Sequence, residues 1–182
     1  MTLPRRPLDA YYTPPALALR LVGVAQIEPG ESVLEPHAGG GAFVSALLAS
    51  GLTVSALDVN PDAPGLALVP EERRFVGDFL THKHEYDWVI GNPPYSDAEA
   101  HVRHALSIAR VGVAFLLRLA FLESASREAF WKQYPATDVH VLSRRPSFTG
   151  GGTDNCAYGW FIWVWGYHYG PATLHILSGE SK

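Results

Sequence analysis

The chain has 182 residues, which suits one compact domain, and its 47% hydrophobic and 18% charged residues exclude a disordered polymer. No apolar run reaches the roughly 18 residues of a membrane span, and the opening MTLPRRPLDAYY lacks the apolar core of a secretion signal. A single cysteine, Cys156, excludes an internal disulfide or a thiolate metal cluster and fits a reducing cytoplasm; the net charge of −4 argues against a duplex binder that relies on charge alone.

In chain order, PALALRLVGVA (15–25) predicts a helix with proline in its first turn and Thr13 as N-cap. ESVLEP (31–36) is a short strand, and GAFVSALLAS (41–50) an amphipathic helix closed by Gly51. LTVSALDV (52–59) is a strand that breaks at Asn60-Pro61, RRFVGDF (73–79) a weaker strand and YDWVIG (86–91) an apolar one. DAEAHVRHALSIAR (97–110) predicts a helix, VGVAFLLR (111–118) a strand, and ESASREAFWKQY (123–134) a helix stopped by Pro135. DVHVLS (138–143) and the aromatic YGWFIWVW (158–165) are strands without a helix between them, and ATLHILS (172–178) is a short edge strand.

Strands and helices alternate in the first half, and the strands are almost continuously apolar. That predicts an α/β fold: a Rossmann-like, seven-stranded, mostly parallel sheet with helices on both faces and an antiparallel C-terminal strand. One domain, 1–182, is expected, without a separate target-recognition domain. In it, 1–30 closes over a cofactor, 31–85 binds it, and 86–182 receives the acceptor. Charge divides similarly: residues 1–100 carry 6 Lys/Arg against 13 Asp/Glu, and residues 101–150 carry 7 against 3. The middle segment can therefore form a local basic patch.

Ligands of such sheets bind at the carboxyl ends of the strands, and the polar residues concentrate there. VLEPHAGGGAFV joins a strand to a helix through three glycines, Gly39 to Gly41, with Glu35 at the strand end. The glycines permit close backbone approach, while the acid suits a cationic ligand better than a pyrophosphate. The stretch matches neither G-x-G-x-x-G nor a P-loop. Asp58 ends the second strand and can accept both hydroxyl protons of a ribose. Asp78 and Phe79 follow the third, offering an acceptor for an exocyclic amine and a ring for a base. Three acids at successive strand ends describe an adenosine pocket. The fourth strand runs into Asn92-Pro93-Pro94-Tyr95, 14 residues beyond Asp78.

From about Tyr11 to Trp165 these motifs resemble the S-adenosylmethionine-dependent amino-methyltransferases, specifically the adenine-N6 family with Asn-Pro-Pro-Tyr. The resemblance implies that Tyr12 and Thr13 contact the cofactor carboxylate, and that Glu35 and Gly39 line its methionine side. It further implies that Asp58 holds the ribose and Asp78 and Phe79 the adenine, with His37 bordering the pocket where the family often has a small residue.

In that chemistry the acceptor nitrogen is a poor nucleophile because its lone pair is delocalised. The need is to hold its N–H groups and draw it toward tetrahedral geometry. Asn92 and Pro93 supply carbonyl oxygens, Pro94 restricts Pro93 to extended geometry, and Tyr95 offers a stacking face. By similarity, Phe148 reaches the far face of an extruded base, Arg144 and Arg145 meet phosphates, and the glycines at 150–152 let their loop reorder. The expected reaction is methylation of adenine N6, with DNA favoured and a partner subunit able to supply target recognition. The alternatives are RNA adenine, a protein glutamine, or an inactive binding subunit. A phage or restriction-modification context suits a chain of this size. The histidines at 82, 84, 101 and 104 form no matched ligand set, so no metal is expected.

Overall fold

The computed structural model describes residues 12–148, 155–166 and 172–178. Eight strands form one sheet: β1 (Ser32–Glu35), β2 (Thr53–Asp58), β3 (Arg74–Val76), β4 (Tyr86–Gly91), β5 (Ala109–Arg118), β6 (Asp138–Leu142), β7 (Tyr158–Val164) and β8 (Thr173–Leu177). Four α-helices accompany them: α1 (Pro15–Ala25), α2 (Ala42–Ala49), α3 (Ala98–Ile108) and α4 (Glu128–Gln133). The spatial order is β3-β2-β1-β4-β5-β7-β6-β8. β7 is antiparallel to both its neighbours, and every other pairing is parallel.

The fold matches the expected α/β class with one strand more. β8 does form, and it pairs parallel to β6. β7 inserts between β5 and β6, so the antiparallel pair lies inside the sheet and not at its margin. The aromatic content of β7 explains its place: Tyr158, Trp160, Phe161 and Trp163 are almost wholly buried, and alternate side chains enter opposite layers.

One layer packs Ala18, Leu21, Val22 and Ala25 of α1 with Phe43, Val44 and Leu47 of α2 against the sheet. The 3–4 residue spacing of the α1 set is the apolar stripe of a helix lying on a sheet. The other layer holds Val102, Ala105 and Leu106 of α3 and Phe130 of α4. α1 begins after Pro14 without a side-chain cap, so the expected capping by Thr13 does not occur; its hydroxyl is used elsewhere. Gly51 adopts φ 75° just beyond α2, as expected of a helix stop. Segment 123–134 divides into a 3₁₀ turn, Ala125–Arg127, and the short α4. Ser124 accepts from the Ser126 N–H and starts the turn, which the apolar periodicity does not reveal. No helix among the described residues is long and apolar enough to cross a membrane.

Candidate functional site

The connection reverses direction between β1 and β4, which are neighbours in the sheet. That switch leaves a crevice above their carboxyl ends, where two strand-end segments can face one ligand. Glu35 closes β1 and Asn92 follows β4 directly. The two strand ends touch: a Cβ at Gly91 would collide with Glu35 Oε1, so a larger residue there would force the acid to shift.

The crevice comprises two hollows of about 480 and 290 Å³ that share Tyr12, His37, Gly39 and Asn92. The larger adds Asp58, Asp78, Phe79 and Pro93 to Tyr95, while the smaller adds Thr13, Glu35 and the glycine turn. Every residue expected at the cofactor thus lines one hollow or both. The turn is fixed by its own backbone: Gly41 donates to Ala38 O at 2.8 Å, and Gly39 and Gly41 have φ of 43° and 84°. The ring of half-exposed Tyr12 lies across Gly39 and Gly40, where a Cβ would stand 3.2–3.3 Å from it.

Glu35 is 1% exposed, and neither carboxylate oxygen closes a hydrogen bond among the described residues. Burial pushes its carboxyl well above the ordinary value; the His37 backbone N–H, short of a full hydrogen bond, partly offsets this, and the Asp58 charge adds to it. A buried acid with unused acceptors, beside a turn open to ligand, is a site for a cation. Asp58 is differently placed. Its Oδ2 accepts from Gly39 N at 2.7 Å and its Oδ1 from Asn60 N at 2.8 Å. Each oxygen keeps a second lone-pair direction for a ligand hydroxyl. Asp78 caps a short 3₁₀ turn by accepting from Leu80 N at 2.9 Å.

Phe79 is 2% exposed and held by rings, with His37 edge-on at 5.4 Å and His101 stacked at 5.7 Å. His37 Nε2 and His101 Nδ1 are 2.8 Å apart, so this pair shares one proton between two rings. Burial, with the neighbouring His101, holds His37 well below the ordinary imidazole value, and burial also lowers His101. No local motif announces this pair, because the two residues are 64 positions apart. His82 and His84 stack on one another, and His104 meets the His82 carbonyl at 2.8 Å.

At the corner, Asn92 Nδ2 donates to Thr13 Oγ1 at 3.2 Å, so the hydroxyl expected to cap α1 orients the amide instead. Tyr95 packs on Tyr158 at 5.5 Å, with the Arg118 guanidinium 4.7 Å over its ring. Burial raises the Tyr95 phenol well above its ordinary value. Tyr158 and Arg118 contribute to the corner without any motif to announce them; they are the ends of β7 and β5, matched by the strand register. Phe148 is 7% exposed and meets Tyr158 edge-on at 5.2 Å, one ring removed from Tyr95. Arg144 and Arg145 are exposed, and the glycines at 150–152 lie outside the described residues.

No family model matches the chain. Over 93 residues, half of this chain, it is 37% identical to a type II methyltransferase of Thermus thermophilus. Over 91 residues, 48% of this chain, it is 29% identical to the type II methyltransferase M.HincII of Haemophilus influenzae. Over that half the chain is similar to type II methyltransferases. It spans about a fifth of the length of these relatives, for which the matches cover 22% and 17%. Solved structures give the class I methyltransferase fold. A proposed RNA methyltransferase of Pyrococcus horikoshii superposes with a TM-score of 0.71 at 18% identity, covering 88% of this chain and 91% of its own. The magnesium protoporphyrin IX methyltransferase of Synechocystis PCC 6803, solved with S-adenosylmethionine bound, gives 0.54 at 16% identity over 82% of this chain and 76% of its own. In this fold the switch-point crevice is the one lined by Glu35, Asp58 and Asn92.

Proposed function

We propose that the protein is an S-adenosylmethionine-dependent methyltransferase that acts on the N6 amine of adenine in nucleic acid, with DNA the favoured acceptor. The observation that carries the reading is the contact of the two strand ends: the Asn92–Tyr95 corner sits against the Glu35 acid across Gly91, within one crevice. A cofactor end and an acceptor end that close can be bridged by a single carbon.

The residues fit the cofactor. Glu35 is a buried acid without a hydrogen-bond partner among the described residues, suited to an ammonium group. Asp58 retains acceptor directions for ribose hydroxyls, and Asp78 and Phe79 border the same hollow for the adenine ring. Tyr12 and Thr13 close the methionine side, with His37 as its wall. When bound, S-adenosylmethionine supplies an electrophilic methyl group on a sulfonium.

The remaining chemistry belongs to the chain. Thr13 engages the donor end of the Asn92 amide, and the oxygen is the end assigned to the acceptor amine. Asn92 Oδ1 and the Pro93 carbonyl each accept one N–H, which concentrates the nitrogen lone pair on the side facing the methyl group. Pro94 fixes the direction of the Pro93 carbonyl. Tyr95 stacks on the planar acceptor, backed by Tyr158.

Nucleic acid as partner is supported by the type II relatives and by Arg144 and Arg145, exposed beyond β6 for phosphate contact. Phe148 reaches a base only by leaving its seat against Tyr158. A partner supplies target recognition beyond what these loops read. The test is nucleoside mass spectrometry of DNA and of RNA incubated with the protein and methyl-labelled cofactor, with labelled protein counted in parallel. N6-methyladenine in DNA supports the reading, label only in RNA or protein redirects the acceptor, and no label in any of the three removes it.

A further inference from the structure

At the opposite margin of the sheet from β3, the β6–β8 register sets His140 directly beside His175, with Asp138 two residues before His140. Side chains two apart on a strand share a face, so all three converge on one side of the sheet. That side is the α1–α2 layer, because His140 is also paired with Trp160 of β7. His175 Nε2 and Asp138 Oδ1 are 2.9 Å apart, and the two imidazoles stack at 4.2 Å with 9° between their planes. The ligating atoms of all three residues lie within 4.8 Å of one another.

We propose that Asp138, His140 and His175 bind one divalent cation of the Zn²⁺ class, and that this ion clips β8 to β6. Two imidazole nitrogens and a carboxylate oxygen form the donor set preferred by such ions, leaving a fourth position for water. Bond lengths of about 2.0–2.2 Å place tetrahedral ligands roughly 3.4 Å apart. The Asp138–His175 pair is already at that scale, and His140 closes the remainder by a side-chain rotation that its partial exposure permits. The sequence conceals the set, since 35 residues separate the histidines and only strand register joins them.

The clip has a physical purpose. β8 buries little: Leu174 and Ile176 on its other face are 64% and 63% exposed. Among the described residues, the ladder with β6 is supplemented by the His175–Asp138 contact, by Leu177 against the core, and by the Arg20 guanidinium donating to the Ser178 carbonyl just past the strand. A five-residue edge strand with so little apolar burial gains most from a cross-strand ligand set. The site takes no part in methyl transfer and stands or falls separately from that reading.

The experiment uses the whole chain, stripped by chelator and then titrated with Zn²⁺ in a calorimeter and with Co²⁺ by visible absorption. We expect one equivalent per chain, Co²⁺ bands of a tetrahedral site, and a higher melting temperature with Zn²⁺. His140→Ala and His175→Ala should lose that equivalent and the melting shift, and Asp138→Asn should weaken binding at least tenfold. The His82→Ala/His84→Ala double variant should keep all three. Circular dichroism distinguishes loss of the ligand from loss of the fold, and Asp138→Asn, which preserves shape, decides if an alanine variant unfolds. Absence of a saturable equivalent, or its survival in His175→Ala or undiminished in Asp138→Asn, overturns the proposal.

Discussion

Thr13 Oγ1 accepts from Asn92 Nδ2 at 3.2 Å, across 79 residues of sequence. A residue at the entry to α1 thereby sets the orientation of the amide at the end of β4. One net hydrogen bond is worth about 0.5–1.5 kcal/mol. Thr13→Val should therefore lower kcat roughly 2- to 12-fold while the fold remains intact, and Thr13→Ser should restore it. If steady-state kinetics show Val and Ser variants alike, the hydroxyl does not position Asn92.

The buried Glu35 carboxyl makes an opposite demand on stability. Its folded-state value is raised, so the folded chain holds the proton longer than the unfolded chain. Its contribution is fully present below the ordinary carboxylate value of 4.5 and is lost as pH rises toward the folded value. Glu35→Gln cannot ionise, so the cofactor-free variant should lack the loss of stability that the wild type shows as pH rises toward the folded value, and should be the more stable of the two at pH 8. The same variant should bind S-adenosylmethionine more weakly. Urea unfolding of both proteins between pH 5 and 8 checks the first part, and calorimetry the second. A wild type as stable as the variant at pH 8 refutes the buried-charge account.

Gly91 couples to that acid sterically. Gly91→Ala places a methyl group where Glu35 Oε1 lies, and overpacking of this kind costs about 1–3 kcal/mol. Combined with Glu35→Ala, which vacates the space, most of the loss should disappear. A double-mutant cycle by chemical denaturation measures the coupling. Strictly additive effects would show that the two strand ends do not touch in solution.

The three acids at strand ends, the glycine turn and Asn92–Tyr95 are all legible in the sequence because each is local: a few residues at the end of an apolar strand. Thr13 reads as a cap because only its neighbours in sequence are visible there, whereas its partner is Asn92. Tyr158 and Arg118 escape notice for the same reason, as the β5–β7 register alone brings them to Tyr95. The alternating apolar residues of β8 announce a strand, but not its parallel pairing with β6, because register is set by the sheet.

Tyr95 tests the acceptor side. Its ring carries Arg118 at 4.7 Å and rests on Tyr158. Stacking of a base is worth about 1–3 kcal/mol. Tyr95→Ala should therefore reduce kcat/KM roughly 5- to 150-fold, and Tyr95→Phe should retain most of the activity because the ring face is unchanged. Cofactor affinity should be unaltered in Tyr95→Phe. A Phe variant as impaired as Ala would assign the function to the phenol and not to the ring.

The His37–His101 pair makes the cofactor hollow sensitive to acid. Both imidazoles are held below the ordinary value of 6.5, His37 by burial and His101, and His101 by burial against the opposing charges of Asp78 and Asp97, with His104 adding to the lowering. Phe79 and Phe115 also pack on the His37 ring, and neither carries a charge to neutralise an imidazolium. The unfolded chain therefore protonates first as pH falls, so the pair's stabilisation is present above 6.5 and is lost as pH drops through the folded values. One proton of difference gives a slope of about 1.4 kcal/mol per pH unit. Wild-type stability and S-adenosylmethionine affinity should both decline between about pH 6.5 and 5. His101→Gln, which keeps a hydrogen-bonding group beside His37 but cannot titrate, should flatten part of that decline. Identical pH profiles for the two proteins in urea unfolding would mean that the acid response originates elsewhere in the chain.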